Sequence, residues 1–317
     1  MNELNMIRGL LEEAPPSAEV IAEGRRRITA EPARRARPRA RWGLTGAGLT
    51  AAAAAAAITI AVTGAPGTRP GGPAARGASF GPATTASGVL RNAAAAALQL
   101  PGSAPSPSQF VYTKLYLYQQ VDHPSAGVLQ TWASADGTRL GIQDAGRNAR
   151  AALPACRDGF WVNKPVGQPA YQTKVRCTAA ENAAYQPAMP TSPRALRGYL
   201  HKLFGLDPGD SGGLLTNIET MMTTSYLTPA QRAALYRLLA QTTGLTVVPH
   251  VTNVKGQTGV GIRSGVYKGS TYTIIFSRTT YTPLGMNWRG VAGPMQGTRN
   301  GEVLLKTAIV SNIGPLP

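Results

Sequence analysis

FVYTKLYLYQQ, residues 110–120, is the stretch that decides the fold. Successive side chains of an extended chain point to opposite faces. Phe110, Tyr112, Tyr116 and Tyr118 therefore share one face, and Val111, Leu115 and Leu117 share the other. Apolar residues on both faces predict a strand that is covered on both sides. The four rings are the candidate ligand-binding residues. They either line an apolar groove beneath helices or form ordinary sheet core.

Downstream, more strands are expected at 128–133 and 139–143, with Asp136-Gly137 as a hairpin signal between them. Two short strands are expected around Phe160 and Val175. The period then changes. Ser192 caps a helix with Pro193 at its first position, and Leu196, Tyr199, Leu200, Leu203 and Phe204 recur at helical spacing. A second helix is predicted over 211–225, carrying Leu214, Leu215, Ile218, Met221 and Met222. Thr228-Pro229 opens a third, with Gly244 as its expected C-cap. Strands return at 245–253, 259–264, 271–277, 283–289 and 303–313. Strands, then helices, then a strand meander predict an α+β domain, with an antiparallel and curved sheet packed against helices.

Upstream, a helix is predicted over 87–100. Before it, residues 64–86 are rich in Gly, Pro and Ala and read as a flexible linker. No charge occurs between Trp42 and Gly67. Residues 43–63 read as one transmembrane helix. Its centre, Ala51 to Ala57, is only weakly apolar, so Leu44, Leu49, Ile58, Ile60 and Val62 supply most of its hydrophobicity. A cleaved signal is the rival, but about 40 residues precede the segment, far more than an ordinary signal carries. Arg25, Arg26, Arg27, Arg34, Arg35, Arg37, Arg39 and Arg41 crowd its upstream flank, and only Arg69 and Arg76 follow closely. The positive-inside rule then gives a basic cytoplasmic tail over 1–42 and an extracytoplasmic domain over 87–317. The tail also carries two short amphipathic segments, such as Leu4, Ile7, Leu10 and Leu11, suited to touching a cytoplasmic protein partner.

The chain carries 32 Lys and Arg against 15 Asp and Glu, a formal charge of +17. The first 42 residues hold nine Arg and six Glu, so most of the excess lies beyond the apolar segment. No basic run interleaved with aromatics is present, which argues against nucleic acid as partner. The surface is either simply basic and soluble or drawn to an anionic extracellular ligand.

Cys156 and Cys177 are the two cysteines. Outside the cytoplasm a disulfide is the natural reading, and two buried free thiols are the alternative. With no CxxC and no His/Cys cluster, no metal site is expected, and no cofactor fingerprint is present. Gly209-Asp210-Ser211-Gly212-Gly213 spells the surroundings of a serine-protease nucleophile. That chemistry needs a His and a buried Asp behind it. His123 is the one histidine far enough upstream to serve, in the context Asp122-His123-Pro124, and Ser211 opens a segment of helical spacing. Ser211 is therefore expected to be a helix-start residue, and the chain is expected not to be an enzyme.

FVYTK at 110–114, Trp132 with SADG at 134–137, MPTSP at 189–193, YLTPA at 226–230 and GLTV at 244–247 stand out together. With MNEL at 1–4 and the mid-chain span, they resemble a family of actinobacterial single-pass membrane proteins. Members look like partners of extracytoplasmic-function sigma factors, beside which they are often encoded. The resemblance implies an outer domain similar in layout to lipoprotein-carrier and sigma-regulator folds. The first 42 residues hold no His and no Cys, a departure from zinc-type anti-sigma factors. The expectation is a membrane-anchored regulatory or sensory protein. The alternative is a surface-tethered carrier of a lipid or other hydrophobic ligand.

Overall fold

The computed structural model describes residues 80–121, 123–146, 150–165, 167–205 and 210–314. The expected tail, the transmembrane helix at 43–63 and the linker up to residue 79 lie outside the described residues. Among the described residues no helix is long and apolar enough to cross a membrane.

The chain enters through α1 (Ala86–Leu98), capped by the Thr85 side chain, which accepts from the Gly88 N–H. Strands β1 (Phe110–Val121), β2 (His123–Ser134), β3 (Gly141–Asp144) and β4 (Arg150–Leu153) follow as a meander. A small three-stranded sheet comes next, made of β5 (Ala155–Arg157), β6 (Phe160–Asn163) and β7 (Tyr171–Arg176). The short α2 (Ala179–Asn182) leads to α3 (Pro193–Phe204), α4 (Ser211–Thr224) and α5 (Pro229–Ala240). A second meander closes the domain: β8 (Thr246–Thr252), β9 (Thr258–Arg263), β10 (Ser270–Phe276), β11 (Pro283–Gly290) and β12 (Arg299–Val310). A single 3₁₀ turn, Gly293–Met295, separates β11 from β12.

The two meanders form one nine-stranded sheet in the order β4-β3-β2-β1-β12-β11-β10-β9-β8. Neighbours are antiparallel throughout, and the sheet does not close into a barrel. The seam between the meanders is β1 against β12, from Phe110↔Val310 to Tyr118↔Gly301, with a register shift after Lys114. The α+β expectation with an antiparallel sheet holds.

All the large helices stack on one face of the β8–β11 half. Ile262, Ile274 and Met286 are aligned across β9, β10 and β11 by register, and they join Phe276 and Val260 under the helices. Helix α5 is buried on nearly every side, with Ala233, Ala234, Leu235, Tyr236, Leu238 and Leu239 at or near zero exposure. An apolar surface all round is the mark of a helix enclosed by protein. Alanines 93, 94, 96 and 97 of α1 let its backbone come close to α5. The Tyr236 ring meets Phe276 edge-on at 5.4 Å, locking helix to sheet.

Local signals set the ends of the elements. Ser192 caps α3, and Gly205 ends it in the left-handed region. Thr228 and Gln231 form a reciprocal capping box on α5. Gly244 is not the C-cap of α5: Gln241 takes that place, and Gly244 turns the chain three residues later with φ +78°. Strand β12 begins four residues earlier than the apolar run suggests, because Arg299 and Asn300 already pair with Arg289 and Trp288.

The small sheet is closed by the Cys156–Cys177 disulfide, which ties β5 to the residue just beyond β7. Asn182 fastens it to the main sheet by donating to both the Gly137 and the Pro154 carbonyls. Gly137 has φ +79°, and a Cβ there would strike the Ala179 carbonyl oxygen, so only glycine fits at this junction.

Candidate functional site

The four aromatic residues of β1 do not gather into one groove. Their register neighbours put Tyr112, Tyr116 and Tyr118 on the sheet face turned away from the helices. The opposite face, carrying Leu117 and its partner Glu302, continues into Met286 and the helix-covered core. The groove beneath helices is thus not where these rings lie. Phe110 is buried under the Arg139 guanidinium, 4.1 Å from the ring centre. Lys255, from the β8–β9 turn, sets its ammonium 4.4 Å from the Tyr116 ring centre. Tyr118 lies half-buried opposite Gly301 and Ala126.

Tyr112 opens onto a cleft. This cleft, of about 560 Å³, is lined by Tyr112, Lys114, Gln130, Trp132, Asp144, Arg150, Lys306 and Gly314. Two adjacent cross-strand rows build it. One row runs Ala308, Tyr112, Trp132, Ile142, Ala152 across β12, β1, β2, β3 and β4. The next runs Lys306, Lys114, Gln130, Asp144, Arg150 across the same five strands. Neighbouring strands stand about 4.8 Å apart, so this polar row spans roughly 19 Å.

The aromatic row is rigid. The Tyr112 and Trp132 rings are 4.9 Å apart, and both residues are more than nine-tenths buried. The Tyr112 hydroxyl donates to Gln130 Oε1 at 2.7 Å. Burial pushes its pKa up from the ordinary tyrosine value, so the hydroxyl remains a donor. The indole Nε1–H of Trp132 is buried with no hydrogen-bond partner.

The polar row is electrostatically lopsided. Lys114 and Lys306 are directly opposed across the β1–β12 seam, and both are half-buried. Like charges facing each other across strands are destabilising. Neither ammonium has a hydrogen-bond or ion-pair partner among the described residues. Asp144 is the one carboxylate among the described residues that line the cleft, and its Oδ1 accepts from the Gly146 N–H at 2.8 Å. Among the described residues that line the cleft, three cations therefore face one carboxylate, whose direct cross-strand neighbour is Arg150.

Sequence reasoning found Tyr112 but missed Lys114, Gln130, Asp144, Arg150 and Lys306. One signal was present: Lys114 follows Tyr112 at strand spacing and must share its face. Lys306 comes from the other end of the domain's sequence, and only strand pairing brings it there.

Asp210, Ser211, Gly212 and Gly213 form the start of a helix. Asp210 is the N-cap of α4, its Oδ1 accepting from the Gly213 N–H at 2.9 Å, and Ser211 is the first helical residue. The Ser211 hydroxyl abuts Gly244, where a Cβ would come within 3.2 Å of it. Gly212 is packed against Tyr267. His123 begins β2. His250 Nδ1 lies 3.3 Å from an Arg278 guanidinium nitrogen on the surface. Among the described residues no group of His, Cys, Asp and Glu is arranged to hold a metal ion.

No protein-family model matches the chain, and no curated protein matches it. Solved structures do. One is the MucA/MucB complex of Pseudomonas aeruginosa, at 14% identity and a TM-score of 0.27, over 73% of this chain and 58% of that one. The chain thus spans less than two thirds of that structure's chain. Another is a LolA superfamily protein from Nitrosomonas europaea, at 8% identity and a TM-score of 0.22, over 74% of this chain and 96% of that one.

Proposed function

We propose that this chain is a membrane-anchored regulatory or sensory protein and not an enzyme. Its extracytoplasmic domain binds a ligand or a protein, and its basic tail over 1–42 touches a cytoplasmic partner. The observation that carries the reading is the division of labour between the two faces of the sheet. The helix side is a filled core, with Leu215, Ile218, Leu235, Leu238, Ile262 and Phe276 all at zero exposure. The other face carries a polar cleft whose described lining holds three cations and one carboxylate. A carrier of a lipid chain needs an apolar cavity to hold it, and packing between the helices and the sheet favours the regulatory reading over the carrier. The arginine asymmetry around residues 43–63 supports the anchor and its orientation.

The test is a fusion of a reporter, active only outside the cytoplasm, after residue 317. The expected result is an active reporter that stays with membranes through a salt wash. Reporter activity in the cytoplasm, or release of a shortened chain into the medium, overturns the anchor.

A further inference from the structure

We propose that the cleft between the Tyr112–Trp132 pair and the Lys114–Lys306 pair is a binding site for a phosphate-bearing ligand. The inference deepens the reading of this sheet face as the binding face, and it rests on that reading.

Lys114 and Lys306 emerge opposite each other on paired strands, half-buried and without a hydrogen-bond or ion-pair partner among the described residues. Register fixes the strand positions from which the two flexible stems leave, so both can reach one anion on the same face. A compact anion seated between them turns a repulsive pair into two charge-assisted hydrogen bonds. A phosphate group offers several oxygens and up to two negative charges, enough to engage both lysines at once. Arg150, at the far end of the same row, supplies a planar fork suited to a further phosphate oxygen or a second acidic group. Asp144 stands beside it and repels any anion that seats at that end alone, which biases the anion toward the lysines. Gln130 lies next to Lys114 in the row, with its Oε1 committed to the Tyr112 hydroxyl. Its amide nitrogen is the remaining donor on that side chain.

The neighbouring row bounds the site. Tyr112 and Trp132 form a fixed aromatic floor beside the cations, but at 1% and 6% exposure they present little open ring face, so the anionic group is what the cleft recognises. A phosphorylated head group in a lipid surface and a soluble phosphate ester present the same chemistry, and the experiment separates them.

The full-length chain, purified in a neutral detergent, is titrated with inorganic phosphate and with glycerol phosphate. It is reconstituted separately with phosphatidylglycerol or phosphatidylcholine vesicles. Binding is read from the intrinsic tryptophan fluorescence, with a Trp132→Phe variant identifying the responding indole. The expected result is saturable binding of the phosphate probes, weakened at least tenfold in Lys114→Gln and in Lys306→Gln. Lys268→Gln, a change at a distant turn, should leave binding as in the parent. A response to phosphatidylglycerol vesicles without one to glycerol phosphate assigns the site to a membrane head group, and the reverse assigns it to a soluble ester. No saturable response to any phosphate probe, or equal affinity in both lysine variants and the parent, overturns the proposal. Circular dichroism of each variant establishes that it is folded. If a lysine variant does not fold, the conservative Lys114→Arg and Lys306→Arg pair, expected to retain binding, replaces it, and loss of binding there also overturns the proposal. The result does not depend on membrane orientation, so failure here and failure of the topology test are separate outcomes.

Discussion

Glu302 should make this domain less stable as the pH rises toward neutrality. Its side chain sits on the helix-covered face of β12, with Leu117 and Met286 as its strand partners. Its Oε1 is buried with no hydrogen-bond partner. Burial alone pushes its pKa from the ordinary 4.5 to about 7. The native state therefore holds a proton that the unfolded chain releases between those two pH values, and stability falls as pH rises through that window. Below about 4.5 both states are protonated and the residue contributes no pH dependence. Above 7 the full cost is present. At about 1.4 kcal/mol per tenfold change in proton affinity, the gap corresponds to roughly 3 kcal/mol, trimmed toward about 2 kcal/mol by the part of the residue that water reaches. The assay is urea unfolding of the parent and of Glu302→Gln at pH 5 and pH 8. The variant should match the parent within about 1 kcal/mol at pH 5 and exceed it by about 2–3 kcal/mol at pH 8. Identical pH dependence in the two proteins would show that Glu302 is solvated or paired in solution, and the argument would fail.

Two further outcomes follow from other elements. Reduction of the Cys156–Cys177 bond frees a loop with a sequence separation of 21 and should cost about 3 kcal/mol of stability; peptide mapping of native material that finds two alkylatable thiols would contradict the pairing. Asp210→Ala should cost about 1 kcal/mol through loss of the α4 cap, and Ser211→Ala clearly less. A serine-directed phosphonate should not label the protein, and labelling that disappears in Ser211→Ala would reinstate the hydrolase.

Elements with a local signature were legible in the sequence. Ser192-Pro193 and Thr228-Pro229 mark the helix starts because capping is settled within four residues. The alternation of residues 110–120 marks β1 for the same reason. The strands β4 and β5 were not foreseen: Arg150–Leu153 and Ala155–Arg157 are short and alanine-rich, and they exist because neighbours pair with them. The site was the least legible part. Its lysines are unremarkable in sequence, and their meaning arises only when Lys306 is placed beside Lys114 by the β1–β12 seam. The aromatic signal was real but incomplete, because alternation names the face a residue shares without saying what covers that face.

The central position of that seam has a consequence for how the chain is made. Phe110 pairs with Val310, so the middle of the sheet waits for a strand synthesised about 200 residues later, on the order of 10–40 s of translation. Until then the first meander stands as half a sheet whose inner edge, β1, is long and apolar on both sides. Open edges of this kind recruit strands from other chains. The nascent protein thus passes through a period in which a long central strand lacks one of its native partners, and a folding helper that shields an unpaired strand should raise its yield more than one that stabilises the finished domain.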